Sequence, residues 1–115
     1  MTEKRKKDIR LVVSDIDGTL IRRGEGFPKE VEQAVAELKK RGILFTFASG
    51  RLPYMITPFA ESLGIEIPVC ACNGMLLYRK NEILENHPLC LLKLRPLIEA
   101  ALLRKMTVLY SLNGT

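Results

Sequence analysis

Residues 11–20 read LVVSDIDGTL, and this stretch decides the fold. Leu11, Val12 and Val13 form an apolar run of strand length, which predicts a strand over 10–15 (RLVVSD). It ends in an acidic turn, Asp15-Ile16-Asp17-Gly18-Thr19. Two further runs stop in the same manner. Residues 43–48 (ILFTFA) lead into Ser49-Gly50-Arg51, and residues 68–72 (PVCAC) lead into Asn73-Gly74. The segments between them have helical character. A helix is predicted over 28–41, with Pro28 in its first turn and Val31, Ala34, Val35 and Leu38 on one stripe. Gly42 stops it behind the cations Lys39, Lys40 and Arg41. A short helix is expected over 58–63, from Thr57-Pro58 to Gly64. The order β-α-β-α-β with apolar strands predicts the α/β class: a Rossmann-like parallel sheet covered by flanking helices.

Downstream the pattern changes. Residues 75–79 and 83–85 read as two strands joined by a turn at Lys80-Asn81. Residues 89–105 predict a leucine-rich helix with Pro96 as a kink site. Residues 107–112 (TVLYSL) predict another strand, followed by the hairpin signal Asn113-Gly114. The expected organisation is a basic tail over 1–9, an α/β core over 10–88, and a separate unit over 89–115 that is too small to bury itself.

The chain has 115 residues, 47% of them hydrophobic, which suits a globular domain and argues against a disordered chain. No apolar run approaches the roughly 18 residues of a membrane span. The first ten residues lack the apolar stretch of a secretory signal, so a cytoplasmic location is expected. The net charge is +5, and residues 1–10 hold five basic residues against two acidic ones. The tail reads as a solvated segment; no nucleic-acid surface is expected, because aromatic or Gly/Arg interleaving is missing. Cys70, Cys72 and Cys90 are an odd set with no paired spacing. A metal pair at Cys70 and Cys72 is conceivable, but His87 is the only histidine, and buried small hydrophobes are the simpler reading.

In open parallel sheets, ligands bind beyond the carboxyl ends of the strands. Neighbouring strands would therefore bring Asp15, Asp17, Ser49 and Asn73 to one crevice. Asp15 and Asp17 are hard oxygen ligands suited to Mg²⁺. One carboxylate could attack a phosphoryl group while the other moves a proton. Ser49 and the Gly50 amide are suited to donate to phosphoryl oxygens. Taken alone, Asp-x-Asp-Gly is often only a capped turn. The matching turns after two further strands favour chemistry. Arg51 has two readings, a phosphate or a local carboxylate. Thr19 reads as a residue holding its loop, and His87 as a surface residue. A glycosyltransferase-type Asp-x-Asp metal site is the weaker enzymatic alternative.

These motifs resemble the haloacid dehalogenase superfamily of phosphohydrolases. LVVSDIDGTL looks like its first motif, FASGR like its second, and ACNGM like the segment after the third strand. The link at 21–27 and the Asn-Gly leading into a hairpin resemble the Cof-like branch, in which a large α/β cap follows the third strand. The resemblance implies a Mg²⁺-dependent phosphatase acting on a small phosphorylated metabolite through an aspartyl-phosphate. Asp15 would be the nucleophile and a Mg²⁺ ligand. Asp17 would be the general acid/base and a Mg²⁺ ligand through its backbone carbonyl. The Ile16 backbone, Ser49 and Gly50 would bind the phosphoryl group, and Asn73 would border the substrate pocket. The family's third-motif lysine and fourth-motif acids follow the cap. The sequence is expected to end inside that cap, and Lys93 and Lys105 cannot be assigned the lysine's role. Little or no turnover is therefore expected of these residues alone. The alternative is a non-catalytic piece that associates through an unpaired sheet edge.

Overall fold

The computed structural model describes residues 7–22 and 24–112. Elements follow in the order β1 (Leu11–Ser14), α1 (Lys29–Lys40), β2 (Leu44–Phe47), α2 (Pro53–Ser62) and β3 (Val69–Ala71), then a 3₁₀ turn (Cys72–Gly74). After these come β4 (Leu76–Arg79), β5 (Glu82–Asn86) and α3 (Leu91–Leu103). β1 and β2 pair in parallel, with Leu11 opposite Leu44 and Ser14 opposite Phe47. β3, β4 and β5 form an antiparallel meander. A parallel bridge between Ala48 and Cys70 joins the two pieces, so β3 runs alongside β2 in the same direction. The chain is thus an α/β fold with a parallel sheet, flanking helices and an antiparallel extension.

Local chemistry accounts for most of these elements. α1 carries Glu30 and Glu32 in its first turn and Lys39 and Lys40 in its last, which suits the helix dipole. Gly42 takes φ +70° directly after its end, a conformation that side chains other than glycine resist. The β4–β5 hairpin turns at Lys80, as its sequence suggests.

α2 begins at Pro53, five residues before the expected start at Pro58, and Pro58 lies inside it. Proline is well suited to a first turn, and Pro53 fills that role here. The interior proline is tolerated in a helix that is well anchored. The Pro53 carbonyl accepts from the Thr57 hydroxyl at 2.9 Å and the Tyr78 hydroxyl at 3.3 Å, and Ile56 is fully buried.

The strand expected over 107–112 is not formed; these residues are irregular, and Leu109 is 91% exposed. A strand needs a ladder of backbone bonds, and of the described residues this run belongs to neither sheet. Cys72 also leaves the strand register: it has φ +52° in the 3₁₀ turn, so it does not share a strand face with Cys70. Cys70 and Cys72 are half-buried and Cys90 is exposed, so the thiols are less enclosed than core hydrophobes.

The core gathers Ile16, Ile21, Phe47, Ile56, Ala60, Val69, Ala71, Leu76 and Tyr78. Phe27 stacks on Phe47 at 5.8 Å and meets Phe59 edge-on at 4.9 Å, which ties β2 to α2. Coverage of the sheet is incomplete: Leu11, Val13 and Leu44 are each about half exposed. α3 contains no buried residue. Among the described residues, no helix is long and apolar enough to cross a membrane. Phe47→Ala is expected to destabilise the fold by about 3–4 kcal/mol, because it empties a fully enclosed ring site. Urea unfolding checks this, and a loss below about 1 kcal/mol would show that the aromatic cluster is not the core.

Candidate active site

The three turns that follow β1, β2 and β3 are stitched together by specific bonds. The first turn winds around one carbonyl: Ile16 O accepts from the amides of Thr19, Leu20 and Ile21. Ile16 is itself fully buried, so the turn is anchored in the core while Asp15 and Asp17 are exposed. β1 has ended by Ser14, so the two carboxylates do not share a strand face. They diverge to different partners. Asp15 Oδ1 accepts from the Ile16 N–H at 2.7 Å. Asp17 receives a two-pronged bond from Arg51, Nε to Oδ2 at 2.7 Å and Nη2 to Oδ1 at 2.6 Å.

That fork crosses from the β1 turn to the β2 turn and settles the open reading of Arg51: its partner is a carboxylate. The guanidinium also lies over the Phe59 ring, 5.1 Å from its centroid. Such a fork holds better than a single lysine contact, because the planar donors match both carboxylate oxygens. Bonding to Arg51 holds the Asp17 carboxyl below its usual range and raises Arg51 above its own. Phe59 was not singled out in the sequence, since an apolar residue on a short helix carries no signal of what lies above it.

The second turn is fixed from the other side. Ser49 is buried, its amide donates to Cys70 O at 3.0 Å, and its hydroxyl accepts from the Arg51 amide at 3.1 Å. Ser49 O accepts from the Asn73 amide at 3.2 Å, and Arg51 O from the Cys72 amide at 3.0 Å. The third turn carries visible strain: Cys72, Asn73 and Gly74 have φ of +52°, +55° and +92° in succession. For Cys72 and Asn73 this costs about 1 kcal/mol each, offset by the two amide bonds to the second turn. Burial pushes the Cys72 thiol up, with Cys70 beside it adding to the effect.

Asp15, Asp17, Ser49, Gly50 and Asn73 therefore lie on three linked turns at one end of the sheet, with Ile16 beneath them. Thr19 holds its own turn through its amide. His87 stands apart on the surface beside Glu85, at 3.3 Å. Among the described residues no three His, Cys, Asp or Glu side chains gather into a metal-holding group. Asp15 and Asp17 nevertheless supply only hard oxygen donors. Mg²⁺ commonly takes one or two carboxylates and keeps several waters, so this donor set fits it as part of a shell.

The acidic turn and the Ser-Gly turn lie beyond adjacent parallel strands, where ligands bind in open α/β sheets. The model of the haloacid dehalogenase-like hydrolases matches residues 12–115, and the chain belongs to that family. YkrA of Bacillus subtilis (strain 168) is 32% identical over 108 residues, covering 94% of this chain and 42% of that protein. The pyridoxal phosphate phosphatase YbhA of Escherichia coli (strain K12) is 30% identical, covering 78% of this chain and 34% of its own length. A solved haloacid dehalogenase-like hydrolase from Bacteroides thetaiotaomicron shares the fold, with TM-score 0.71 at 24% identity, covering 84% of this chain and 38% of that one. The chain thus spans less than half the length of these relatives.

In Arg51→Met, the Asp17 carboxyl is expected to titrate closer to its ordinary range, read by carbon NMR of the side chain. An unmoved midpoint would show that the pair does not persist in solution. The folded Asp17 is lowered, so the pair's stabilisation is present above the ordinary carboxylate pKa and lost as pH falls through the lowered one. Asp17 is 47% exposed, so high salt weakens the pair as well.

Proposed function

We propose that this chain carries the nucleophile and phosphate-binding turns of a phosphatase acting on a small phosphorylated metabolite. The observation that carries the reading is the linkage of the three turns, by Arg51 to Asp17 and by the Asn73 and Cys72 amides to Ser49 and Arg51. Two carboxylates, a hydroxyl and an unengaged amide on three linked turns support this reading. Among the described residues, nothing accepts from the Gly50 N–H, so it is available to a phosphoryl oxygen. The name of YbhA records a phosphate ester as substrate for that relative, which supports the same substrate class here.

In the proposed reaction, an Asp15 oxygen attacks phosphorus and the ester P–O bond breaks. Asp17 gives a proton to the departing oxygen. Asp17 then takes a proton from water, which attacks the aspartyl-phosphate, frees phosphate and restores Asp15. Ser49 and the Gly50 amide hold the phosphoryl oxygens, the Ile16 backbone lines the same turn, and Asn73 borders the pocket. Mg²⁺ would be held by the Asp15 carboxylate and the Asp17 carbonyl, and would supply charge neutralisation for the phosphate.

Arg51 bears directly on this scheme. Bound to Asp17, it favours the carboxylate, which is the base form. Proton donation requires the fork to open. Among the described residues, Arg51 is the cation bonded at these turns, and Asp17 already takes it. A phosphate dianion entering beside Asp15 therefore meets little free positive charge, so turnover by these residues alone is expected to be low.

Residues 10–88 are proposed as the core, 89–115 as the opening of a cap and 1–9 as a basic tail, of which residues 1–6 lie outside the described residues. The signal at Asn113-Gly114 lies outside them too. A cytoplasmic setting agrees with three free cysteines. A second reading, self-association, is favoured by β1: it pairs with β2, and its Leu11 and Val13 are about half exposed. A strictly monomeric sedimentation profile would sink that reading.

Slow release of phosphate from p-nitrophenyl phosphate with Mg²⁺ is expected from the chain. It should vanish in Asp15→Asn and fall about tenfold in Ser49→Ala, the scale of one charge-assisted hydrogen bond. Release that survives Asp15→Asn would overturn the assignment of the nucleophile.

A further inference from the structure

Gly50 stands between two residues that are both tied down. The carbonyls of Ser49 and Arg51 accept from the Asn73 and Cys72 amides. Among the described residues, Gly50 itself has no hydrogen-bond partner. What lies against it is the side chain of Asn73. A Cβ built on Gly50 would stand 2.7 Å from Asn73 Oδ1 and 3.3 Å from both Cγ and Nδ2. The whole side-chain amide is laid over the bare Cα, closer than any side chain at position 50 would permit.

The backbone of Asn73 is shaped for this contact. Its φ of +55° and ψ of +36° put it in the left-handed region, where asparagine is among the few tolerated residues other than glycine. A residue that only bordered a pocket would not need that conformation. Here it turns the side chain back across the second turn, while its amide bonds to Ser49 O.

We propose that Asn73 is the positioning residue of the phosphate turn. By packing on Gly50 it sets the path of Ser49–Gly50–Arg51, and with it the direction of the Gly50 N–H and the Ser49 hydroxyl. The proposal rests on the phosphate reading above for what those donors meet. It extends that reading by giving Asn73 a role that acts through Gly50. It also gives Gly50 a function although its φ is not in the positive range: a Cβ there would push the Asn73 amide off the turn.

The test uses the 115-residue chain, amide NMR, and titration with inorganic phosphate in the presence of Mg²⁺. Asn73→Gly keeps the left-handed backbone accessible and removes the side chain. It is expected to shift the Gly50 and Arg51 amides and to weaken phosphate binding about tenfold, the scale of one misdirected charge-assisted bond. Gly50→Ala should weaken it as well, by driving the Asn73 amide away. In the double variant the clash is gone, so the two losses should not add. Asn73→Asp keeps the side chain's shape and should retain the wild-type Gly50 and Arg51 amide positions, which separates the contact from a general loss of folding. Unchanged Gly50 and Arg51 amides in Asn73→Gly, or strictly additive losses, would overturn the proposal. If the wild-type chain bound no phosphate, the phosphate reading would fall, and the amide shifts, which need no ligand, would still decide the positioning role.

Discussion

The turn at Ser49–Arg51 is gripped on both flanks, and the other two turns take their positions from it. On one side Arg51 crosses to Asp17 with two bonds of 2.7 and 2.6 Å. On the other, amides of the strained third turn reach the carbonyls of Ser49 and Arg51. The parallel register of β1 and β2 makes the first link feasible, because it ends both strands at the same level, Ser14 opposite Phe47. The Ala48–Cys70 bridge does the same for the second. Three residues thus convert strand pairing, a backbone property, into the placement of side chains from three turns.

The electrostatics follow from which carboxylate meets which donor. Asp15 accepts through one carboxylate oxygen from an amide of its own turn. Asp17 has both oxygens engaged by one guanidinium. Two residues of the same type, two positions apart, thereby meet different partners. The aromatic support deepens the distinction. Arg51 lies over Phe59, Phe59 meets Phe27, and Phe27 stacks on the fully buried Phe47. The orientation of the cation is therefore tied to the core packing, and the entropy of fixing a long side chain is shared with a contact that folding makes anyway.

The parts legible in the sequence were those set by local chemistry. The apolar runs gave β1, β2 and β3, the charged ends and Gly42 gave α1, and Lys80-Asn81 gave the hairpin. The residues at the strand ends were legible for the same reason: a polar residue and a glycine directly after an apolar run mark the turn. The misreadings share a cause. Pro58 has the local look of a helix start, but α2 begins at Pro53 because Ile56 is drawn into the core and the Pro53 carbonyl finds two hydroxyl donors. Residues 107–112 have strand composition, but they join neither sheet, and composition alone does not supply a ladder. Asp15 and Asp17, two apart, would point alike only on extended backbone, and the Ile16 carbonyl curls that segment into a turn. The choice between phosphate and carboxylate for Arg51 depended on a residue 34 positions away, and no local pattern encodes such a distance.

The distribution of burial also bears on the site. The core's last members are Leu76 and Tyr78, on β4. Beyond them, β5 is exposed along its length, and Leu92 and Leu103 on α3 are more than 80% exposed. A helix that buries nothing adds little to the stability of what precedes it, since most helical stability in proteins comes from packing an apolar face. The three turns draw their rigidity from Ile16, Phe47, Ile56 and Ala71, all of which are fully buried. The geometry of the three turns thus rests on core residues between Ile16 and Tyr78. The leucine-rich helix, which has no buried residue, takes no part in assembling them.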